Sequence, residues 1–127
     1  MSDPTAGLDA LAADLEGAAV RLPASLVPVV SKGALNVKND WRANASGNRH
    51  APHYPATIGY DLAVTASSIS AVIGPDKNLP QGPLGNILEF GTSKNPPHND
   101  GGRALAAEEP RFIAAVEEAA AKAVLGD

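Results

Sequence analysis

The chain has 127 residues, of which 44% are hydrophobic and 4% aromatic, with no cysteine and a formal net charge of −4. That length suits one domain, residues 1–127. The missing cysteines exclude disulfides, thiolate nucleophiles and cysteine-ligated zinc, and an acidic balance without a Lys/Arg cluster disfavours a protein that reads nucleic acid.

No apolar run approaches the roughly 20 residues that span a bilayer, and no basic stretch leads into a short apolar one as in secretory leaders. The chain therefore reads as soluble and intracellular. Trp41, Tyr54, Tyr60, Phe90 and Phe112 are its aromatic residues, and alanine makes up much of the apolar fraction. Alanine buries little area, so association with other subunits is expected to supply part of the stability.

At the N-terminus, Leu8, Leu11, Ala12, Leu15, Ala19 and Leu22 fall on one helical face, and Asp3 before Pro4 suits a helix start. Pro23 is expected to interrupt or restart this helix. Leu26, Val29, Val30, Gly33, Val37 and Trp41 then resume helical spacing, with a kink expected at Pro28. Two helices, or one bent helix, satisfy the pattern. Residues 44–55, "NASGNRHAPHYP", are rich in Asn, Gly and Pro and read as a loop. Its length suggests an arm that is poorly ordered alone and orders against a neighbour.

Ile58, Tyr60, Leu62 and Val64 alternate with small or polar residues, and Ile69, Ala71 and Ile73 repeat the alternation. The short "ASS" between them predicts an antiparallel hairpin. Residues 74–85 read as a second loop and 87–92 as a short third strand. Helix returns with Phe112, Ile113, Val116, Ala119, Ala120, Ala123 and Val124 on one side, and with Glu118 and Lys122 paired at i, i+4. Pro110 either starts that helix or bends it away from a shorter one at 103–109. The sum is an α+β domain: N-terminal helices, a small antiparallel sheet with long loops, and an alanine-rich C-terminal helix packed on the sheet.

The chemistry-bearing residues form no recognised constellation. His50 and His53 have H-x-x-H spacing, but in a proline-rich loop rather than on a helix that would fix them as metal ligands. Ser67, Ser68 and Ser70 lack a nucleophile elbow and suit a turn. The glycines match neither phosphate-binding fingerprint. Glu89 stands between apolar neighbours beside a Gly-Thr pair. The structural reading is that its carboxylate accepts hydrogen bonds from amides around Gly91 and Thr92 at a strand end, or pairs with a neighbouring subunit. A catalytic reading would need a partner group that no spacing supplies. No catalytic residue, metal or cofactor is assigned, and the chain is read as a non-enzyme.

The segment "LEFGTSKNPPH" followed by "RALAAEEPRFIAAVEEAAAKAV" resembles the neck and minor tail-component (head-tail connector, tail-completion) family of long-tailed bacteriophages. Glu89, Gly91, Thr92 and the following Pro96 and Pro97 carry the likeness, and the "HAPHYP" loop with His50, His53 and Tyr54 extends it upstream. After Ala51 and Pro52 the text "ATIGYDLAVTASSI" departs from the run common in that family. The resemblance implies a virion protein, assembled in the host cytoplasm, that forms a ring of six or twelve copies at the head-tail junction. Such a ring would contact a head-completion or adaptor ring on one side and a tail terminator or tail-tube protein on the other, while genomic DNA passes through the lumen without specific binding. The alternatives are a tail terminator capping the tube or, in another class, a small metal-dependent hydrolase built on the histidines and carboxylates.

Overall fold

The structure, a computed structural model, describes the chain from residue 4 to residue 125, with side chains described from residue 24 onward. The aspartate start at Asp3 lies outside the described residues, and so do the side chains of the first apolar stripe from Leu8 to Leu22.

A single helix, α1 (Pro4–Ala45), occupies the first third of the chain. Neither Pro23 nor Pro28 ends it, so the expected interruption at Pro23 is corrected. Proline removes one backbone donor and clashes with the preceding turn at a cost of about 3 kcal/mol, which packing on the flanking turns can offset. In the second half of α1 that packing is present. Val30, Gly33, Ala34 and Val37 are buried at helical spacing, as the stripe predicts.

The chain then forms the hairpin β1 (Ile58–Val64) and β2 (Ile69–Pro75), antiparallel, with Tyr60 opposite Ile73, Leu62 opposite Ala71 and Val64 opposite Ile69. These pairs share one face, as the period-2 alternation requires. At the turn, the Thr65 amide donates to the Ser68 carbonyl at 2.8 Å, and the two hydroxyls lie 2.8 Å apart.

The expected third strand is not formed. Residues Gly85–Phe90 make a short helix, α2, entered from a 3-10 turn at Gly82–Leu84. A short apolar run fits strand or helix equally by pattern. Here tertiary packing decides, because Leu84 and Leu88, one turn apart, both lie against the core cluster of Ala45, Ala51, Tyr54 and Ile58. The predicted 74–85 loop accordingly shrinks, with Gly74 and Pro75 closing β2 and Gly85 opening α2.

Beyond the last two residues of α1, the 44–55 segment is a run of turns, as its composition predicts. It folds as a clasp onto the chain's own core. Ala51 and Tyr54 are buried, and the turns are tied by Ala51 donating to the Asn48 carbonyl and Tyr54 to the Ala51 carbonyl. Burying a large side chain such as Tyr54 or Ile58 is worth about 1.5–3 kcal/mol.

The last element, α3 (Asp100–Leu125), runs unbroken through Pro110. It packs antiparallel along α1, since Asn36 reaches Glu108 while Trp41 lies on Gly101. Glu118 and Lys122 pair at 3.1 Å as expected. The predicted apolar side of α3 is only partly covered: Ala123 is buried and Phe112 half-buried, but Ile113 and Val124 face solvent. Helices on a two-stranded antiparallel sheet give the α+β class that the sequence predicts.

Candidate functional site

The segment from α2 to the first turn of α3 gathers most of the residues that the sequence singles out. Glu89 sits on α2, not at a strand end, and its Oε1 accepts from the Gly101 amide at 2.6 Å. The first four amides of a helix lack intrahelical acceptors, and the N-terminal end of the helix dipole favours negative charge. Glu89 therefore caps α3 from twelve residues upstream. The Gly91 and Thr92 amides, its expected partners, bond elsewhere: Gly91 to the Ile87 carbonyl and Thr92 to the Asn95 carbonyl, both at 2.8 Å.

Gly91 turns the chain at φ +73 and ψ −175, a region essentially restricted to glycine. A Cβ there would lie 2.6 Å from both the Asn95 carbonyl oxygen and the Pro97 nitrogen, so the Pro96–Pro97 backbone leaves no room for a side chain. Thr92 Oγ1 accepts from the Lys94 and Asn95 amides at 3.2 and 3.1 Å. The His98 amide then returns to the Leu88 carbonyl at 2.8 Å and the Asn99 amide to the Glu89 carbonyl at 3.1 Å. Glu89, Gly91, Thr92 and the two prolines thus close a tight loop between α2 and α3.

Beneath this loop lies a buried polar cluster. Asp100 is 3% exposed; its Oδ1 accepts from Arg103 at 2.6 Å, and its carbonyl accepts from the Asn44 side chain at 3.0 Å. His98 Nδ1 stands 4.0 Å from Asp100 Oδ2, an ion pair only when the imidazole is protonated. Tyr54 is 1% exposed, and its hydroxyl and the Trp41 indole nitrogen are both buried without a hydrogen-bond partner. Burial pushes the Tyr54 phenol above its usual range, Glu89 and Asp100 add to the rise, and the adjacent Trp41 indole opposes it. The indole lies close to the phenol without making a hydrogen bond to it.

A second polar joint links the long helices. Glu108, 4% exposed, accepts from Asn36 at 3.0 Å and pairs with Arg111 at 2.8 Å, while Arg111 also reaches Asp40 at 3.6 Å. Arg42, which the sequence does not single out, anchors the hairpin: its Nε and Nη2 donate to the Ile58 carbonyl at 2.9 and 2.6 Å. Contacts sixteen or more residues apart leave no periodic trace, so only their Asp/Asn/Arg character could have hinted at them.

The remaining candidates do not converge. His50 and His53 are exposed on the 44–55 turns, where the His53 amide donates to the Gln81 side chain at 2.6 Å. His98 lies beside Asp100 at the start of α3. Among the described residues no three His, Asp or Glu side chains are placed to hold a metal ion. Tyr54 lies in the core. What the segment does offer to a partner is apolar: Ile87 is 47% and Phe90 75% exposed on α2, and Leu105 58% exposed on α3. Comparison of the chain with protein-family models, with curated proteins and with solved structures finds no match.

Proposed function

We propose that this chain is a structural protein of a phage neck, a subunit of a ring of six or twelve copies between the portal or head-completion complex and the tail. The observation that carries the reading is a division of roles within residues 86–101. Glu89, Gly91 and Thr92, the residues by which the segment resembles the neck and tail-completion family, are engaged in holding α2 to α3. Between and beside them, Ile87 and Phe90 face outward. A carboxylate already bonded to a helix amide is a fastener, and exposed large apolar side chains on a short, rigid helix suit an assembly contact.

The acidic balance of the chain fits a lumen through which DNA moves without being held, because attraction to phosphates requires positive charge. Cryo-electron microscopy of the particle tests the reading. The expected result is this chain in a symmetric ring at the head-tail junction, in contact with an adaptor ring and with a tail terminator or tail-tube protein. Its presence in the capsid shell or at the tail tip, or its absence from the particle, overturns the proposal.

A further inference from the structure

Between α1, β2 and α3 lies an apolar groove of about 430 Å³, walled by Val30, Ala34, Ile69, Ile73, Leu105 and Phe112. Leu62 and Val64 extend the wall, because they stand across the hairpin from Ala71 and Ile69 on the same face, and both are exposed. Leu105 is more than half exposed at the groove's edge. A monomer that leaves so much apolar wall uncovered has an unfilled half of an interface.

The same chain carries a shape suited to fill it. Ile87 and Phe90, one turn apart on α2, form an exposed apolar ridge, and neither lines the groove of its own chain. The polar neighbours match as well. Glu109 lines the groove and Lys94 follows the ridge by four residues; both are exposed, and among the described residues neither has an ion-pair partner. A pocket and a complementary patch at different places on one molecule produce a head-to-tail contact, which closes into a ring when the rotation allows.

The geometry points to a head-to-tail contact in which the Ile87–Phe90 ridge of one copy fills the α1–β2–α3 groove of the next, with Lys94 of the first facing Glu109 of the second. This names the joint between copies in the ring proposed above. It rests on that reading for its place in a particle, and on the ridge, groove and charges for its existence. The hairpin tip, residues 64–69, carries no cation to answer Glu109 and is a poorer occupant.

The absence of cysteine makes the test clean. Two single-cysteine variants, Asn86→Cys, exposed one turn from Phe90 at the edge of the ridge, and Ala71→Cys, are mixed and oxidised at high protein concentration, so that even a transient contact is trapped and the ridge itself stays intact. The expected product is a disulfide between the two variants that neither forms with itself in comparable yield. A bond formed mainly between two Asn86→Cys copies, or two Ala71→Cys copies, indicates a symmetric contact and overturns the inference, as does no disulfide at all.

Charge reversal supplies a second readout on exposed residues that the fold does not use. Lys94→Glu and Glu109→Lys should each lower the yield of the mixed disulfide about fivefold, and both reversals in every copy should restore it. Unchanged yields, or no rescue, overturn the pairing. Rings at the head-tail junction without the mixed disulfide would refute this contact alone, whereas the mixed disulfide from a chain found elsewhere would refute only the neck reading.

Discussion

At the scale of single residues, Glu89 acts as a remote cap of α3. Its carboxylate replaces the missing acceptor for the Gly101 amide, and losing such a cap costs about 0.5–2 kcal/mol. Glu89→Ala is expected to lower stability within that range in urea unfolding. Glu89→Gln, which keeps an acceptor oxygen, should recover about half, and equal losses for both would show that the hydrogen bond is not what matters. Tyr54 makes the opposite prediction. Its buried hydroxyl lacks a partner, and an unpaired buried polar group costs about 1–3 kcal/mol, so Tyr54→Phe should hold or raise the melting temperature. The raised phenol pKa also fixes a sign. Because the folded state resists ionisation, Tyr54 contributes stability below pH 10 that is lost as the pH rises above it, where the unfolded chain releases the proton more readily. Tyr54→Phe should remove that part of the alkaline loss; an identical alkaline profile in the two proteins would contradict it.

At the scale of elements, the hairpin depends on the helix beneath it. An isolated two-stranded hairpin is marginal in water, and here the first strand is pinned by Arg42, at the C-terminal turn of α1, through two bonds to the buried Ile58 carbonyl. The cation also complements the negative end of the helix dipole. Hydrogen bonds to a charged group contribute about 1.5–3 kcal/mol, so Arg42→Ala should destabilise by that order. Hydrogen exchange should quicken first in β1 and β2 while the α1–α3 amides remain protected. Uniform loss of protection would mean that hairpin and helices unfold as one unit. The same dependence explains α2: its residues suit a strand, but Leu84 and Leu88 gain burial against Tyr54 and Ile58 only when one helical turn separates them.

At the scale of the whole molecule, small side chains bring α1 and α3 together but bury little. Of the buried hydrophobic residues, Ala34, Ala45, Ala51, Ala104 and Ala123 are alanines, while Val72, Phe90, Leu105 and Leu125 are more than half exposed. Burial returns about 25 cal/mol per Å², so the area left outside is what the proposed ring would cover, and specific interfaces take about 1,200–2,000 Å² in total. Binding that favours the folded state makes the melting temperature depend on concentration. A tenfold rise in protein concentration should therefore raise it, and Phe90→Ser should abolish that dependence without lowering the value measured at high dilution. A midpoint independent of concentration from micromolar to millimolar would remove the case for self-association through this surface.

What periodicity and turn chemistry encode could be read from the sequence alone. The inner stripe of α1 from Val30 to Val37, the antiparallel β1–β2 hairpin and the Glu118–Lys122 pair follow from side chains whose partners lie within a turn or across a short hairpin. It also marked Glu89, Gly91 and Thr92 as structural, although it placed them at the end of a strand. The three-dimensional fold was needed to place Pro23 and Pro28 within one helix, to make 85–90 helical, to bring Ala51 and Tyr54 into the core, and to set Glu89 as the cap of α3. The last three turn on contacts far apart in the chain, where the energy of packing or of an orphaned amide exceeds the local preference and leaves no mark in the local pattern.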